Sequence, residues 1–194
     1  MSAAAPDFPD RLIRLFERLH PLDRVPRAGY LLRGVPEPES VAAHGLFVAM
    51  LALVFTEQYP DQFDRGRTLA MALIHDIAEA ELMDIPMPRS HEALRDAKAQ
   101  VEQAIFTSLF SGFAGTFADL HREYQENQTA EARLVHALDK LQMMLKVYCY
   151  DTEKRGTLAE FWESPASFKD YGLSCVTQVF DTLLQRANKQ RPTP

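Results

Sequence analysis

The sequence predicts an all-α protein of six or more helices, and three observations carry that expectation. Apolar residues recur at offsets of three and four along most of the chain. No stretch of useful length alternates apolar and polar residues as a strand would. Prolines and glycines cluster between the periodic segments rather than inside them. A chain of 194 residues, 46% hydrophobic and 25% charged, suits one domain that buries its own core without staples. The expected division is a core over about residues 8–150, a helical extension over about 151–187 and a frayed tail over 188–194.

Taken in order, residues 8–20 place Leu12, Phe16 and Leu19 on one face, expected inward, with arginines opposite. Residues 21–38 hold Pro21, Pro26, Gly29, Gly34, Pro36 and Pro38 and read as a long loop, of the kind that often carries function. Ser40 is a good N-cap for a helix to about Glu57 whose inner stripe is Val41, His44, Val48, Leu51 and Phe55. A helix from roughly Arg67 to Leu82 follows, stopping ahead of Pro86 and Pro88. Ser90 is expected to cap a helix to about Phe110, and a short helix should occupy residues 117–125. Residues 129–150 are apolar on nearly every side, which marks a buried helix. Ser164-Pro165 reads as an N-cap and first helical residue, and a last helix covers about residues 173–187.

Charge and composition exclude several classes. A net charge of -6 speaks against a surface that coats nucleic acid. Two distant cysteines, Cys149 and Cys175, make no disulfide framework, which suits a reducing compartment. No run approaches the roughly 18 uninterrupted apolar residues of a bilayer span, and the N-terminus lacks the basic-then-apolar order of a signal peptide. A cytoplasmic protein with no nucleic-acid or membrane partner is the expectation.

Polar residues intrude on the apolar stripes at His44, at the pair His75-Asp76, and at Asp139. A lone buried histidine is more often a hydrogen-bonded core residue than a ligand, and a lone aspartate a salt-bridge partner, with Lys140 or Arg133 at hand. Four such residues in the order His…His-Asp…Asp are harder to assign to packing. Two imidazoles and two carboxylates form a mixed nitrogen and oxygen set that suits one divalent Mn, Fe, Co, Ni or Zn ion. Glu79 follows His75 by four positions and Asp76 by three, so on a continuous helix it shares their direction and could deprotonate a water there. Asp84 lies just past the expected helix end, where a rigid loop could hold it over the same cavity.

This set resembles the HD-domain superfamily of metal-dependent phosphohydrolases, and more narrowly its 5′-deoxynucleotidases. PESVAAHGLFVAM (38–50), ALIHDIAEAELMDIP (72–86) and AEARLVHALDKLQMML (130–145) are similar to that group's three motif stretches, over roughly residues 8–150. The resemblance implies an all-α HD-domain bundle in which His44, His75, Asp76 and Asp139 hold one divalent metal. Glu79 would activate the attacking water, and Asp84 would assist at the leaving oxygen or the sugar. The implied substrate is a small phosphate ester, a nucleoside 5′-monophosphate, and the implied assembly a homodimer. Two departures stand out. Ala43 replaces an acidic residue often found before the first metal histidine, and Gly29-Tyr30 lie where bacterial relatives carry an Arg-Trp pair that senses sugar and phosphate. Tyr30 could stack on a base or sit beside a deoxyribose, and Arg33 or Arg27 would have to take the arginine's role.

Competing readings are an HD-type hydrolase of nucleoside triphosphates or other phosphate esters, a di-iron oxygenase, and a non-catalytic nucleotide sensor. Triphosphates would call for more cations than the loops offer. A di-iron centre would need His91 and His121, neither of which stands in an apolar helical context. A sensor has no need of Glu79.

Overall fold

In the computed structural model, which describes residues 7–86 and 92–193, the chain is helical with no strand among the described residues. Helix α1 spans Phe8–Leu19 and is capped by Asp7, whose side chain accepts from the Asp10 N–H at 3.1 Å. It contributes no buried residue. The stripe expected to face inward is therefore on the surface: Phe16 is 69% and Leu12 47% exposed. What pins α1 is polar, since Arg18 donates to Glu81 at 2.6 Å.

The segment expected to be a long loop has structure of its own. A 3-10 turn covers His20–Asp23 and the single-turn helix α2 covers Ala28–Leu31. Between them, Arg27 N–H donates to Glu39 O (3.0 Å) and Val41 N–H to Val25 O (2.8 Å), so the strap is stitched to the start of the next helix. That stitching aims Arg27 and Tyr30 inward.

Helix α3 (Val41–Gln58) begins as expected at Ser40, which caps the Ala43 N–H. It is long and apolar enough by composition to cross a bilayer, with mean hydropathy 1.5. Its position is that of a central helix: His44, Val48 and Ala52 are fully buried, and α4 (Arg65–Ile74) and α8 (Ala130–Thr152) flank it. Helix α4 starts two residues before the expected position because Asp64 caps the Arg67 N–H at 2.7 Å.

The expected helix over 67–82 is broken. Helix α4 ends at Ile74, and α5 covers only Glu79–Leu82. The His75 ring Nδ1–H donates to Ala72 O at 2.8 Å, the acceptor that a continuing helix would give to the Asp76 N–H. Tighter bonds of the i to i+3 kind then carry the chain, from Ile77 N to Ile74 O and from Glu79 N to Asp76 O. His75 and Asp76 thus sit at a helix end, not at its middle.

Helices α6 (Glu92–Leu109) and α7 (Thr116–Glu126) follow; the expected cap at Ser90, like His91, lies outside the described residues. Thr129 caps α8, and α8 buries Leu134, Val135, Leu138, Leu141 and Met144 completely. Helix α9 (Ala159–Glu163), a 3-10 turn at Pro165–Phe168 and α10 (Ser174–Ala187) complete the chain. Trp162, Phe168, Phe180 and Leu184 join the same apolar cluster as Leu138, so residues beyond 150 belong to the core. The turn Ser164-Pro165 opens is one 3-10 turn rather than an α-helix.

One turn after α8 supports the strap from outside. Thr157 N–H donates to Arg33 O at 2.8 Å, and a Cβ on Gly156 would stand 2.7 Å from Val35 Cγ2 and 2.8 Å from Arg33 O. Its φ of +78° is also one that suits glycine. Gly156→Ala is expected to cost about 2–4 kcal/mol from overpacking and backbone strain. Thermal melting should show a fall on the order of 10 °C, and an unchanged melting temperature would mean that the turn gives way freely.

Candidate active site

Three elements converge beneath the strap. His44 comes from the first turns of α3, His75 and Asp76 from the break after α4, and Asp139 from the middle of α8. His75 Nε2 lies 3.3 Å from His44 Nε2 and 3.3 Å from Asp76 Oδ2. His44 Nε2 lies 3.5 Å from Asp76 Oδ2 and 3.3 Å from Asp139 Oδ1. Ligands about 2.1 Å from one metal ion stand roughly 3–3.5 Å from each other. The donor atoms of His44, His75 and Asp76 all lie within 4.8 Å of one another; Asp139 is outside that group, with an oxygen 3.3 Å from His44 Nε2.

Both imidazoles point the same kind of nitrogen at that centre. His75 Nδ1–H is held by Ala72 O, and His44 Nδ1–H by Gln142 Oε1 at 2.6 Å. Each ring therefore turns a lone pair at Nε2 toward the other, an arrangement that needs a cation between them. The residues present fit a divalent ion: two neutral imidazole nitrogens and carboxylate oxygens in a buried pocket. Without it a proton serves. Burial alone would lower the His75 pKa, but the Asp76 carboxylate, with help from Asp139, outweighs burial and raises it to about 9.

Around the centre stands a ring of charge that motif spacing did not reveal. Arg27, 15% exposed at its side chain, lies between four carboxylates. Its guanidinium nitrogens are 3.3 Å from Asp76, 3.9 Å from Glu79, 3.7 Å from Asp84 and 3.9 Å from Asp139. Glu79, at the start of α5, is buried; its Oε1 accepts from Lys98 of α6 at 3.2 Å, while Oε2 is buried without a hydrogen-bond partner. Burial, then Asp76 and Asp84, push the Glu79 pKa up to about 8 against the pull of Lys98 and Arg27. Asp84 follows Met83, whose φ of +67° turns the chain back toward α2, and it accepts from the Ala28 N–H at 2.9 Å. Lys140 donates to Asp139 at 2.9 Å, the pairing weighed from the sequence.

The two residues expected to meet substrate lie further out. Tyr30 is 2% exposed and its hydroxyl donates to Met143 O at 3.0 Å, so it offers a ring wall rather than a free hydroxyl. Arg33 pairs with Glu160 of α9 and lies over the Phe161 ring. Both border a cavity of ≈ 400 Å³ that also exposes Arg27, Asp76, Glu79, Asp84, Lys98 and Asp139, a volume typical of small-molecule sites. The expectation of few cations is corrected here: Arg27, Arg33, Lys98 and Lys140 all line it. Of the two candidates for the arginine's role, Arg27 stands among the site carboxylates and Arg33 pairs with Glu160.

His121 and His136 have packing roles. His121 is 2% exposed, stacked on Phe106 and bonded to Gln103, and burial lowers its pKa to about 4. Its surroundings are apolar, contrary to expectation, yet it is a neutral core residue. His136 stacks between Tyr124 and Tyr171 and donates to Tyr124 O at 2.9 Å.

The protonated centre has a stability consequence for the metal-free protein. His75 and Glu79 both have folded pKa values above their unfolded ones, so folding binds protons. The His75 contribution is complete below pH 6.5 and lost as pH rises through about 9; that of Glu79 is complete below pH 4.5 and lost through about 8. Asp76 and Asp139, both held below the carboxylate range despite burial, contribute a constant amount there. Metal-free protein should therefore melt roughly 5–10 °C lower at pH 9 than at pH 6.5. Added divalent metal should flatten that slope. A metal-free melting temperature that rises with pH would contradict the assignment.

Comparison with known proteins finds relatives across most of the chain. The sequence profile of the HD domain matches residues 19–169. The chain is 31% identical over 163 residues to human 5′-deoxynucleotidase HDDC2, covering 80% of this chain and 76% of that one. It is 34% identical over 161 residues to the Xenopus laevis protein of the same name, with coverage of 80% and 78%. Among solved structures, the PH0347 protein of Pyrococcus horikoshii superposes with a TM-score of 0.74 at 37% identity, covering 91% of this chain and 98% of that one. A predicted metal-dependent phosphohydrolase of Magnetospirillum magnetotacticum shares the fold at 23% identity, with a TM-score of 0.72 and coverage of 96% and 98%. An all-α bundle, a histidine and aspartate at a helix break that meet a second histidine from α3, and a profile match across most of the chain lead to one assignment: this protein belongs to the HD domain family.

Proposed function

We propose that the protein is a metal-dependent phosphohydrolase that removes phosphate from (deoxy)ribonucleoside 5′-monophosphates. The observation that carries this reading is the meeting of His44 Nε2, His75 Nε2 and Asp76 Oδ2 at one point, beside Arg27 and Glu79, at the floor of a small-molecule cavity. The names of the relatives, 5′-deoxynucleotidases, support the same substrate class. His44, His75, Asp76 and Asp139 would hold one divalent Mn, Fe, Co, Ni or Zn ion. That ion supplies a lowered water pKa and neutralisation of phosphate charge.

The chain's own residues do the rest. Glu79 takes the proton of the attacking water through the Oε2 left without a partner. Positive charge entering the neighbouring site lowers its raised pKa and favours the carboxylate form that serves as a base. Arg27, drawn to phosphate oxygens, holds the group in line and exchanges part of its carboxylate contact for it. Asp84 fixes the Ala28 N–H and the Arg27 side chain, which sets the arginine's reach and leaves Asp84 at the cavity edge near the leaving oxygen. Tyr30 and Phe161 rings offer an apolar wall for sugar and base. Ring-lined apolar surface beside a sugar favours a substrate lacking a hydroxyl there, which supports a 2′-deoxy preference.

The outer cations Arg33, Lys98 and Lys140 favour a second reading, hydrolysis of nucleotides with more phosphates. The exposed apolar face of α3, with Leu46, Phe47, Met50 and Val54, supports a homodimer built on that helix. Composition and the free cysteines support a cytoplasmic location. The test is metal-stripped protein given back each of the five metals and offered mono-, di- and triphosphates of ribo- and deoxyribonucleosides, with phosphate release measured. Monophosphate hydrolysis that requires added metal is expected. Metal-independent release, or triphosphates turned over far faster than monophosphates, would overturn the substrate assignment.

A further inference from the structure

Behind His44 lies a chain of buried polar groups that the reaction does not touch. Gln142 stands three residues after Asp139, so α8 turns both toward α3. Its Oε1 accepts from His44 Nδ1–H at 2.6 Å, and its Nε2 donates to both oxygens of Glu39, at 3.1 and 3.0 Å. All three side chains are buried, at 0% exposed for His44, 4% for Gln142 and 8% for Glu39. Lys146 stands 3.4 Å from Glu39 Oε2, and the Tyr150 hydroxyl accepts from the Glu39 N–H at 2.8 Å, so the carboxylate is held in place.

A glutamine amide can face either way, and the two orientations have opposite consequences for an imidazole. With its oxygen toward His44, the ring must carry its proton on Nδ1 and leaves Nε2 with a lone pair. With its NH2 group toward His44, the ring must accept at Nδ1 and carries its proton on Nε2, where it cannot coordinate. Glu39 decides between them, because an ionised carboxylate only accepts and so draws the NH2 group to itself. His75 needs no such device, since a backbone carbonyl, Ala72 O, can only accept. We propose that Glu39 is a positioning residue that fixes the metal-binding tautomer of His44 through the amide of Gln142. This rests on the reading that His44 is a metal ligand, and it assigns a purpose to an acidic residue five positions before that histidine in the PES segment.

The test uses the full chain and two readouts apart from catalysis. Co(II) titration followed by its visible absorption gives metal affinity. Long-range proton–nitrogen spectra of metal-free, 15N-labelled protein give the His44 tautomer. Glu39→Gln, which keeps the volume, is expected to weaken Co(II) binding roughly ten- to a hundredfold and to populate the Nε2–H form. The exchange Glu39→Gln with Gln142→Glu places an acceptor-only group against His44 directly. It should restore both the affinity and the single Nδ1–H form, a rescue that a merely packing role would not give. Wild-type affinity and tautomer in Glu39→Gln, or an exchanged pair no better than the single variant, would overturn the proposal. His44→Ala separates the ligand reading from the relay. If it binds Co(II) as tightly as the wild type, the ligand assignment itself fails and the relay falls with it; if binding is lost, failure of the Glu39 variants counts against the relay alone.

Discussion

Glu79→Gln is expected to slow monophosphate hydrolysis by about 10²–10⁴-fold, the usual weight of a positioned base. That range corresponds to roughly 3–5 kcal/mol of barrier. The substitution keeps the shape of the side chain but removes the atom that matters, the buried Oε2 that accepts no hydrogen bond from the protein. Lys98, 3.2 Å from the other oxygen, can still hold an amide oxygen, so the side chain need not leave its place. The loss should appear in kcat, with KM little changed, because the carboxylate meets the water and not the substrate in this reading. Metal content should also stay at the wild-type level, since in this reading the ion is held by His44, His75, Asp76 and Asp139 and not by Glu79. The limb of the pH–rate profile that reports this base should vanish with it. Wild-type turnover in the variant would remove Glu79 from the chemistry, and loss of metal would make it a ligand instead.

How far the sequence carried the site depends on which physical signal each residue leaves. His44 and Asp139 were visible because a buried polar group on an apolar stripe is expensive, and the stripes of α3 and α8 are where periodicity placed them. Glu79 was singled out on a geometry that does not exist. The i+3 and i+4 spacing presumed one helix, whereas the His75 ring takes a helix acceptor and the chain reaches Glu79 by tighter turns. A side chain that competes for a backbone carbonyl leaves no trace in hydrophobic periodicity. The α1 face went wrong for a similar reason: the pattern reports that one side is apolar, not that anything covers it, and Phe16 is 69% exposed.

Arg27, Lys98 and Gln142 were the least legible. Arg27 sits in a Pro- and Gly-rich segment, where composition says turn and gives no direction to a side chain. The backbone bonds from Arg27 N to Glu39 O and from Val41 N to Val25 O, with the Asp84 contact to Ala28 N–H, aim it inward. Lys98 belongs to α6, whose surface-like pattern hides that one cation reaches a buried carboxylate. A weak signal did exist for Gln142, a polar residue at i+3 from Asp139 on a helix otherwise apolar all round.

Arg27→Met should have two separable effects, because this arginine serves the fold and the substrate at different moments. In the metal-free protein it is the central cation among four carboxylates, two of which, Asp76 and Asp139, are held well below the usual carboxylate range in part by its charge. Burial opposes its charge, yet those carboxylates outweigh burial and keep it protonated at every pH of interest. Removing one member of such a buried set costs about 3–5 kcal/mol, because the charges left behind lose their partner. The metal-free variant should melt on the order of 10 °C lower than wild type, with the deficit shrinking at acid pH as the orphaned carboxylates take up protons. A divalent ion replaces the lost positive charge, so metal should recover more melting temperature in Arg27→Met than in wild type. Catalysis would not recover in the same way: with metal restored, KM for the monophosphate should rise at least about tenfold, the worth of one charge-assisted phosphate contact. Arg27→Lys should regain much of the stability and little of the KM, since an ammonium supplies the charge without the planar fork. A metal-loaded Arg27→Met with wild-type KM would confine Arg27 to holding the carboxylates together, and the phosphate would then have to be met by Lys98, Lys140 or Arg33 from the other sides of the cavity.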